Sequence, residues 1–172
     1  MNKVTDLFSD NEPKKEKQIV LEDLLESCLH CDFELKSSKI YQRYRVCSKC
    51  NYHFSISARR RLATLIDKNS FHETSKWIQS LDPIEFSPRV SYRVRLVQDR
   101  IRTGLNEAII TGTCKIDDKD VVMIVIDSSF LGGSMGVVVG EKVTLALELA
   151  KRKKIPCVCT VTSSGTRLQE GI

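Results

Sequence analysis

The alternation of apolar and polar positions divides this chain into a patchy first part and a strongly patterned second part. From residue 108 onward two β-branched runs, Ala108–Ile116 and Val121–Ile126, flank the polar stretch Asp117–Asp120 and predict two strands joined as a hairpin. Glu141–Lys154 then carries Val143, Ala146, Leu147 and Ala150 at helical spacing, which predicts a helix with that buried stripe. Glu141 at its positive end and Lys151–Lys154 at its negative end suit the macrodipole, and Pro156 stops it. Pro156–Thr162 predicts a further strand, and Ser163–Ile172 a loop that opens into a helix. Strand, strand, helix, strand is part of a layer that still needs neighbours. An uncovered sheet edge and apolar face would favour aggregation or a partner chain.

The earlier part reads differently. Residues 1–27 hold four Lys and seven Asp/Glu and read as a flexible acidic tail, with Val20, Leu21, Leu24 and Leu25 as a short helical entry. Residues 55–107 read as a helical linker region. Within it Ser57 caps a helix over Arg59–Ile66, with Leu62, Leu65 and Ile66 on one face. Asp82-Pro-Ile and Ser87-Pro-Arg mark a loop. A second helix spans Val90–Arg102, where Val90, Val94, Val97 and Ile101 recur at helical spacing.

Composition narrows the class. The 172 residues are 41% apolar and 28% charged, with 27 Lys+Arg against 22 Asp+Glu, a mixed balance that argues against a mainly disordered protein. The longest apolar run, Val121–Ile126, is far too short for a membrane span. The beginning has neither the apolar core of a secretory signal nor the Arg-rich, acid-poor make-up of a transit peptide. The expected location is therefore the compartment of synthesis.

Seven cysteines in a reducing compartment need an explanation other than disulfides. Four have one: Cys28-x2-Cys31-x15-Cys47-x2-Cys50, two C-x-x-C turns able to aim four sulfurs at one centre. This predicts a zinc ribbon over 28–54 holding one structural Zn²⁺; an iron–sulfur or rubredoxin-like iron site uses similar ligands. Four thiolates close the shell, so no catalysis belongs there, and the neighbouring His30 and His53 read as surface residues. The loaded site is formally −2, which brings the chain from +5 to nearer +3. Residues 36–61 carry Lys36, Lys39, Arg43, Arg45, Lys49, Arg59, Arg60 and Arg61 with no acid, interleaved with Tyr41, Tyr44, Tyr52 and Phe54. Such a surface can face a phosphate-bearing ligand, offset the metal site's charge or hold nucleic acid, so a non-catalytic nucleic-acid-binding module is the rival reading. Cys114, Cys157 and Cys159 read as small apolar core residues of the strands.

Two glycine loops remain. Gly132, Gly136 and Gly140 recur every four residues and would form one smooth face if helical; the spacing is not that of a dinucleotide loop. Ser164-Gly-Thr-Arg167 follows a strand, and as the start of a helix it would aim backbone N–H groups at an anion or a polarised carbonyl.

Taken in order, the four-Cys motif, Asp82-Pro-Ile-Glu-Phe86, Thr103-Gly-Leu-Asn-Glu-Ala-Ile-Ile-Thr-Gly112, Gly132-Gly-Ser-Met-Gly-Val-Val-Val-Gly-Glu-Lys142 and Ser164-Gly-Thr-Arg-Leu-Gln-Glu-Gly171 resemble one family over roughly residues 25–172. It is the β subunit of bacterial and plastid acetyl-CoA carboxylase carboxyltransferase. The resemblance implies an α/β protein: a four-Cys zinc ribbon followed over 108–172 by an incomplete crotonase-like (ClpP/crotonase) domain of ββα units. It implies transfer of a carboxyl group from carboxybiotin, carried on a biotin carboxyl carrier protein, to acetyl-CoA, giving malonyl-CoA for fatty acid synthesis. The implied partners are the α subunit in a two-α, two-β assembly, the carrier protein and biotin carboxylase. The implied location is a bacterial cytoplasm or a plastid stroma. Zinc stays with Cys28, Cys31, Cys47 and Cys50, biotin comes from the carrier, and Gly132, Gly133, Gly136, Gly165 and Arg167 are the substrate-side residues. No catalytic side chain is identified, because backbone donors suffice to stabilise a thioester enolate. The family's Ser-Gly-Gly-Ala-Arg reads Ser163-Ser164-Gly165-Thr166-Arg167 here. Family members also continue past this segment into a further Gly-Gly loop that supplies the oxyanion-binding amides. The 172 residues alone are therefore expected to be inactive.

Overall fold

The computed structural model describes residues 25–87 and 90–171; the predicted helical entry through Val20, Leu21 and Leu24 lies outside the described residues. Helices α1 (Lys39–Tyr44), α2 (Ala58–Leu65), α3 (Tyr92–Thr103) and α4 (Val137–Lys153) accompany strands β1 (His72–Thr74), β2 (Ile109–Ile116), β3 (Lys119–Ile126) and β4 (Cys157–Thr160). The sheet order follows the chain, β1-β2-β3-β4; the first three strands are antiparallel and α4 carries the chain across to β4, parallel to β3. Two cores result. One joins Cys28, Leu35, Tyr41 and Cys47. The other packs the sheet against α2, α3 and α4 through Leu62, Leu96, Val122, Ile124, Phe130, Val139 and Ala146 among others.

The hairpin forms where the pattern predicts it. Asp117 and Asp118 turn the chain with φ of 51° and 60°, the left-handed pair whose twist matches two antiparallel strands. Asp67 secures this turn, its carboxylate accepting from the Asp117 and Asp118 N–H groups at 3.1 and 2.9 Å. Ser57 caps α2 as predicted, accepting from Arg60 N–H at 3.4 Å. The buried Asp127 adds a second cap from the far end of β3, accepting from Ala58 N–H at 2.7 Å. The pattern did not disclose β1, whose three residues are too few to show a period.

Several faces turn the other way from the sequence expectation. On α3 the stripe Val90, Val94, Val97 and Ile101 faces solvent, with Ile101 80% exposed, while Tyr92 and Leu96 enter the core. The inward face is the one whose polar atoms find tertiary partners: the Tyr92 hydroxyl donates to Glu170 and Asp99 accepts from Leu131 N–H. Leu65 is likewise exposed, and Ile66 only partly buried. Helix α4 starts four residues before the predicted Glu141, so that residue lies beyond the first turn; Val139, Lys142, Ala146 and Ala150 are buried and Leu147 is exposed. The predicted face of Gly132, Gly136 and Gly140 does not exist, because Gly132 sits in a left-handed turn and Gly136 is the N-cap of α4. Cys114 is a core residue as expected, but Cys157 is half-buried and Cys159 exposed, since β4 has a strand on one side only.

The exchange of faces on α3 has a direct test. Leu96→Ala should cost about 2–5 kcal/mol in urea unfolding, and Ile101→Ala should stay within about 0.5 kcal/mol. The sequence periodicity alone would rank them the other way.

Candidate functional site

Two constellations carry chemistry. The first is the cysteine cluster. Each C-x-x-C forms a turn of the same design: Cys28 accepts from Asp32 N–H and Cys47 from Asn51 N–H, both at 2.9 Å. Asp32 and Asn51 take φ of 56° and 58°, a conformation that short polar side chains tolerate best after glycine. Isolated antiparallel bridges, Ser27 with Glu34 and Val46 with His53, close the two knuckles. Between them α1, a turn and a half not foreseen in the ribbon, is capped by Ser38 and buries Tyr41. The Tyr41 hydroxyl accepts from Arg45 at 2.9 Å and from Leu25 N–H at 3.2 Å.

The four sulfurs lie within 4.8 Å of one another, with Cys28–Cys50 and Cys31–Cys47 at 3.7 Å. A tetrahedral ion with metal–sulfur bonds of about 2.3 Å needs sulfur–sulfur edges of about 3.8 Å, so this donor set fits a metal ion. Burial resists ionisation of Cys47, but the Cys50 and Lys49 N–H groups and neighbouring thiols hold it at about 6. Cys50 receives the Tyr52 N–H, yet burial and the other three sulfurs push it to about 12. Protons are thus unevenly shared within the cluster, and a cation at its centre would favour the thiolate form of its ligands. His30 and His53 stay outside the cluster; His30 only stacks on Tyr52 and donates its backbone N–H to Cys28 Sγ at 3.4 Å.

The second constellation lies where β3 and β4 end, the end of parallel strands at which open α/β sheets take ligands. After β3 the chain turns through Leu131, Gly132 and Gly133 with φ of 44°, 67° and 69°, then enters α4 at Gly136. After β4 it runs through Ser163–Arg167. The two loops are stitched together: Ser164 N–H donates to the Gly132 carbonyl at 3.0 Å, Met135 N–H to Gly165 at 2.8 Å and Arg167 N–H to Met135 at 2.9 Å. Two glycines are required by this approach. A Cβ on Gly133 would drive into the Thr162 carbonyl oxygen, and one on Gly136 into the Glu170 carboxylate. Gly165 has φ of 104°, whereas Ser164, the departure from the family pattern, avoids the left-handed region and bears no strain.

Arg167 sits beneath both loops and is 1% exposed. Nε donates to Ser134 Oγ at 3.0 Å; one terminal nitrogen reaches Glu107 Oε1 at 2.6 Å and the Ser134 carbonyl at 2.7 Å. The other reaches Ser80 and Tyr92 hydroxyls at 3.2 Å and Glu170 Oε1 at 3.3 Å. Every guanidinium donor is engaged by protein. Its role is therefore to position the loops, not to meet a ligand in this conformation. Burial opposes its charge, but the Glu107 carboxylate outweighs that and raises its pKa. Burial would push Glu170 up, yet the Tyr92 hydroxyl, the Val137 N–H at 2.7 Å and Arg167 hold it below the ordinary carboxylate range. Burial and Glu170 together raise Tyr92. Glu170 thus occupies the positive end of α4, the place the sequence assigned to Glu141. The predicted helix after Gly165 is a single 3₁₀ turn, Leu168–Glu170, too short to aim a row of N–H groups. Sequence spacing could not reveal Ser80, Tyr92, Glu107 or Glu170 as members of this cluster, since they come from four separate segments.

Residues 55–172 match the family model described as the carboxyl transferase domain. The chain is 39% identical over 160 residues to an acetyl-coenzyme A carboxylase carboxyl transferase subunit beta from Carboxydothermus hydrogenoformans, an alignment covering 93% of this chain and 56% of that protein. It is 38% identical to the chloroplastic subunit beta of Pyropia yezoensis, over 92% of this chain and 56% of that protein. The chain thus spans little more than half the length of these relatives. Among solved structures, transcarboxylase 12S with hydrolysed methylmalonyl-coenzyme A bound superposes with a TM-score of 0.56 at 26% identity, over 69% of this chain and 21% of that one.

Purified under reducing conditions, the chain should carry one metal ion by native mass spectrometry, and Cys47→Ser should lose it together with near-ultraviolet dichroism from Tyr41. For the arginine cluster, the stability brought by Glu170 is complete above about 4.5 and lost as pH falls through its lower folded value. That tied to the Tyr92 hydroxyl is complete below about 10 and lost above it. Glu170→Gln should cost about 3 kcal/mol at neutral pH and flatten the acid limb of the Tm–pH profile.

Proposed function

The chain belongs to the carboxyl transferase family, among the acetyl-coenzyme A carboxylase β subunits, and from that premise we propose that its glycine loops form one wall of a thioester-binding site. The proposed reaction moves a carboxyl group from carboxybiotin on a biotin carboxyl carrier protein to acetyl-CoA, yielding malonyl-CoA for fatty acid synthesis. The single observation that carries this reading is the stitched pair Leu131–Gly136 and Ser163–Arg167 at the ends of β3 and β4. Such a wall, with little side chain in the way, lets a thioester approach the backbone closely, while the N–H groups of Gly133, Ser134, Met135, Ser164, Gly165 and Arg167 are taken by the loops' own contacts. Gly133 and Gly136 are buried and let the two loops close on each other, exposed Gly132 and half-buried Gly165 lie on the open side, and Arg167 holds the loops in register from below. Biotin is proposed to enter on the carrier, and the α subunit to supply the opposite wall in a two-α, two-β assembly that works with biotin carboxylase.

The sulfur cluster is proposed to hold one structural Zn²⁺, whose closed shell leaves no position for substrate. Among the described residues no helix is long and apolar enough to cross a membrane. The proposed location is a bacterial cytoplasm or a plastid stroma. A second reading rests on the exposed Lys36, Lys39, Arg43 and Lys49 around the cluster and on Tyr44, which Arg43 covers at 5.0 Å. In that reading the ribbon holds nucleic acid, with an affinity that falls steeply as salt rises.

Malonyl-CoA formation tests the first reading. It is expected when a chain extended to the relatives' full length is combined with α subunit and biotinylated carrier, and not from these 172 residues alone. In the extended chain Gly133→Ala should lower turnover by about 10²-fold or more, with zinc content unchanged.

A further inference from the structure

Lys142 is the one lysine on α4 that the helix turns inward; it is 2% exposed, although nothing in the apolar pattern selects it. It lines a cavity of about 160 Å³ together with Arg59, Glu73, Lys76, Asn106 and Ile109, separate from the glycine loops. The walls come from α2, the end of β1, the α3–β2 connection and α4, and they are fixed: Asn106 Nδ2 donates to the Lys76 carbonyl at 2.8 Å. Among the described residues the side chains of Lys142, Arg59 and Lys76 make no ion pair or hydrogen bond. Glu107, the nearby buried acid, is already engaged by Arg167, Ser80 and Ala108 N–H. The cavity is thus lined by buried Lys142, solvent-exposed Arg59 and Lys76, and a single half-buried carboxylate, Glu73.

Burial lowers the Lys142 pKa, and Glu73 and Glu107 pull it only part of the way back. The Lys142 side chain is buried but its ammonium is not sealed off from the cavity, where it is met by deprotonation, by water or by a counter-ion. Deprotonation leaves Arg59 and Lys76 charged against Glu73 alone. Water leaves the net charge in place. An anion answers all three cations at once. The size is selective too: the cavity is below the roughly 300 Å³ at which pockets take whole small molecules, yet well above the roughly 10–15 Å³ that a single water needs.

We propose that the cavity formed by Lys142, Arg59 and Lys76 binds a phosphate-sized oxyanion. The ammonium of Lys142 forms the floor contact, Arg59 and Lys76 close over the mouth, and Glu73 sets an upper limit on affinity by repulsion. The source of the oxyanion is either a free ion or the terminal phosphate of a larger ligand whose remainder stays outside.

The test uses the full chain with its metal, inorganic phosphate as probe and sodium chloride at matched ionic strength as control. Phosphate should raise Tm by about 3 °C or more at saturation. Lys142→Met, a buried isostere expected to fold at least as well, should abolish the rise, and Glu73→Gln should tighten phosphate binding several-fold. Should Lys142→Met fail to fold, NMR of the Lys142 ε-methylene in the native chain decides: phosphate should move its titration midpoint upward. An equal Tm response in both chains, or no phosphate effect on Tm and on the Lys142 signal, overturns the proposal. Glycerol phosphate separates the sources: binding as tight as inorganic phosphate assigns the terminal phosphate of a larger ligand, and binding of inorganic phosphate alone assigns the free ion.

Discussion

A buried guanidinium cannot be left unpaired, and the way this chain pairs Arg167 arranges most of the larger domain. Its donors are met by Ser80 and Tyr92 from the segment before β2, Glu107 at the entrance to β2, Ser134 in the first glycine loop and Glu170 just past the second. Each partner is itself held elsewhere. Glu107 also accepts from Ala108 N–H, and Glu170 from the first N–H of α4. A charge triad out of water is seldom the most stabilising solution, since apolar residues of like volume do as well or better. What it supplies is register: the cluster can be satisfied in one arrangement of five segments, and that arrangement brings the two loops to within backbone hydrogen-bonding distance.

The four-cysteine ribbon obeys a different constraint. Its core of Cys28, Leu35, Tyr41 and Cys47 is too small to fold on apolar burial alone, and a metal ion held by the four sulfurs would supply the missing free energy. The link to the rest of the chain runs through α2. Ser57 and Asp127 both cap its first turn, so the helix leaving the ribbon is tied to the end of β3. The ribbon is thereby tethered beside the strand ends where the glycine loops lie.

Tight backbone approach explains why those loops are glycine-rich without forming a dinucleotide motif. Gly133 passes the Thr162 carbonyl and Gly136 passes Glu170 at distances that admit no Cβ. The glycine spacing is set by loop-to-loop contact and by the start of α4, and has no relation to a helical period. The Ser164 departure is tolerated because its backbone stays out of the left-handed region, leaving Gly165 to take the unusual conformation.

What lay open in the sequence was what neighbours along the chain decide among themselves. The cysteine spacing, the Ser57 cap, the β-branched runs flanking Asp117 and Asp118, and the order strand, strand, helix, strand depend on residues a few positions apart, and all are present in the fold. The motifs that identify the family were equally readable. Which face of a helix turns inward was not, because α3 has two candidate faces of similar size: Val90, Val94, Val97 and Ile101 on one, Tyr92, Leu96, Asp99 and Thr103 on the other. The choice was made by Glu170 and Leu131, distant partners that pay back the burial of Tyr92 and Asp99. The inward turn of Lys142 and the burial of Arg167 have the same character. Periodicity treats a charged residue as solvent-facing, and only tertiary contacts show which charges the core has partners or room to accept.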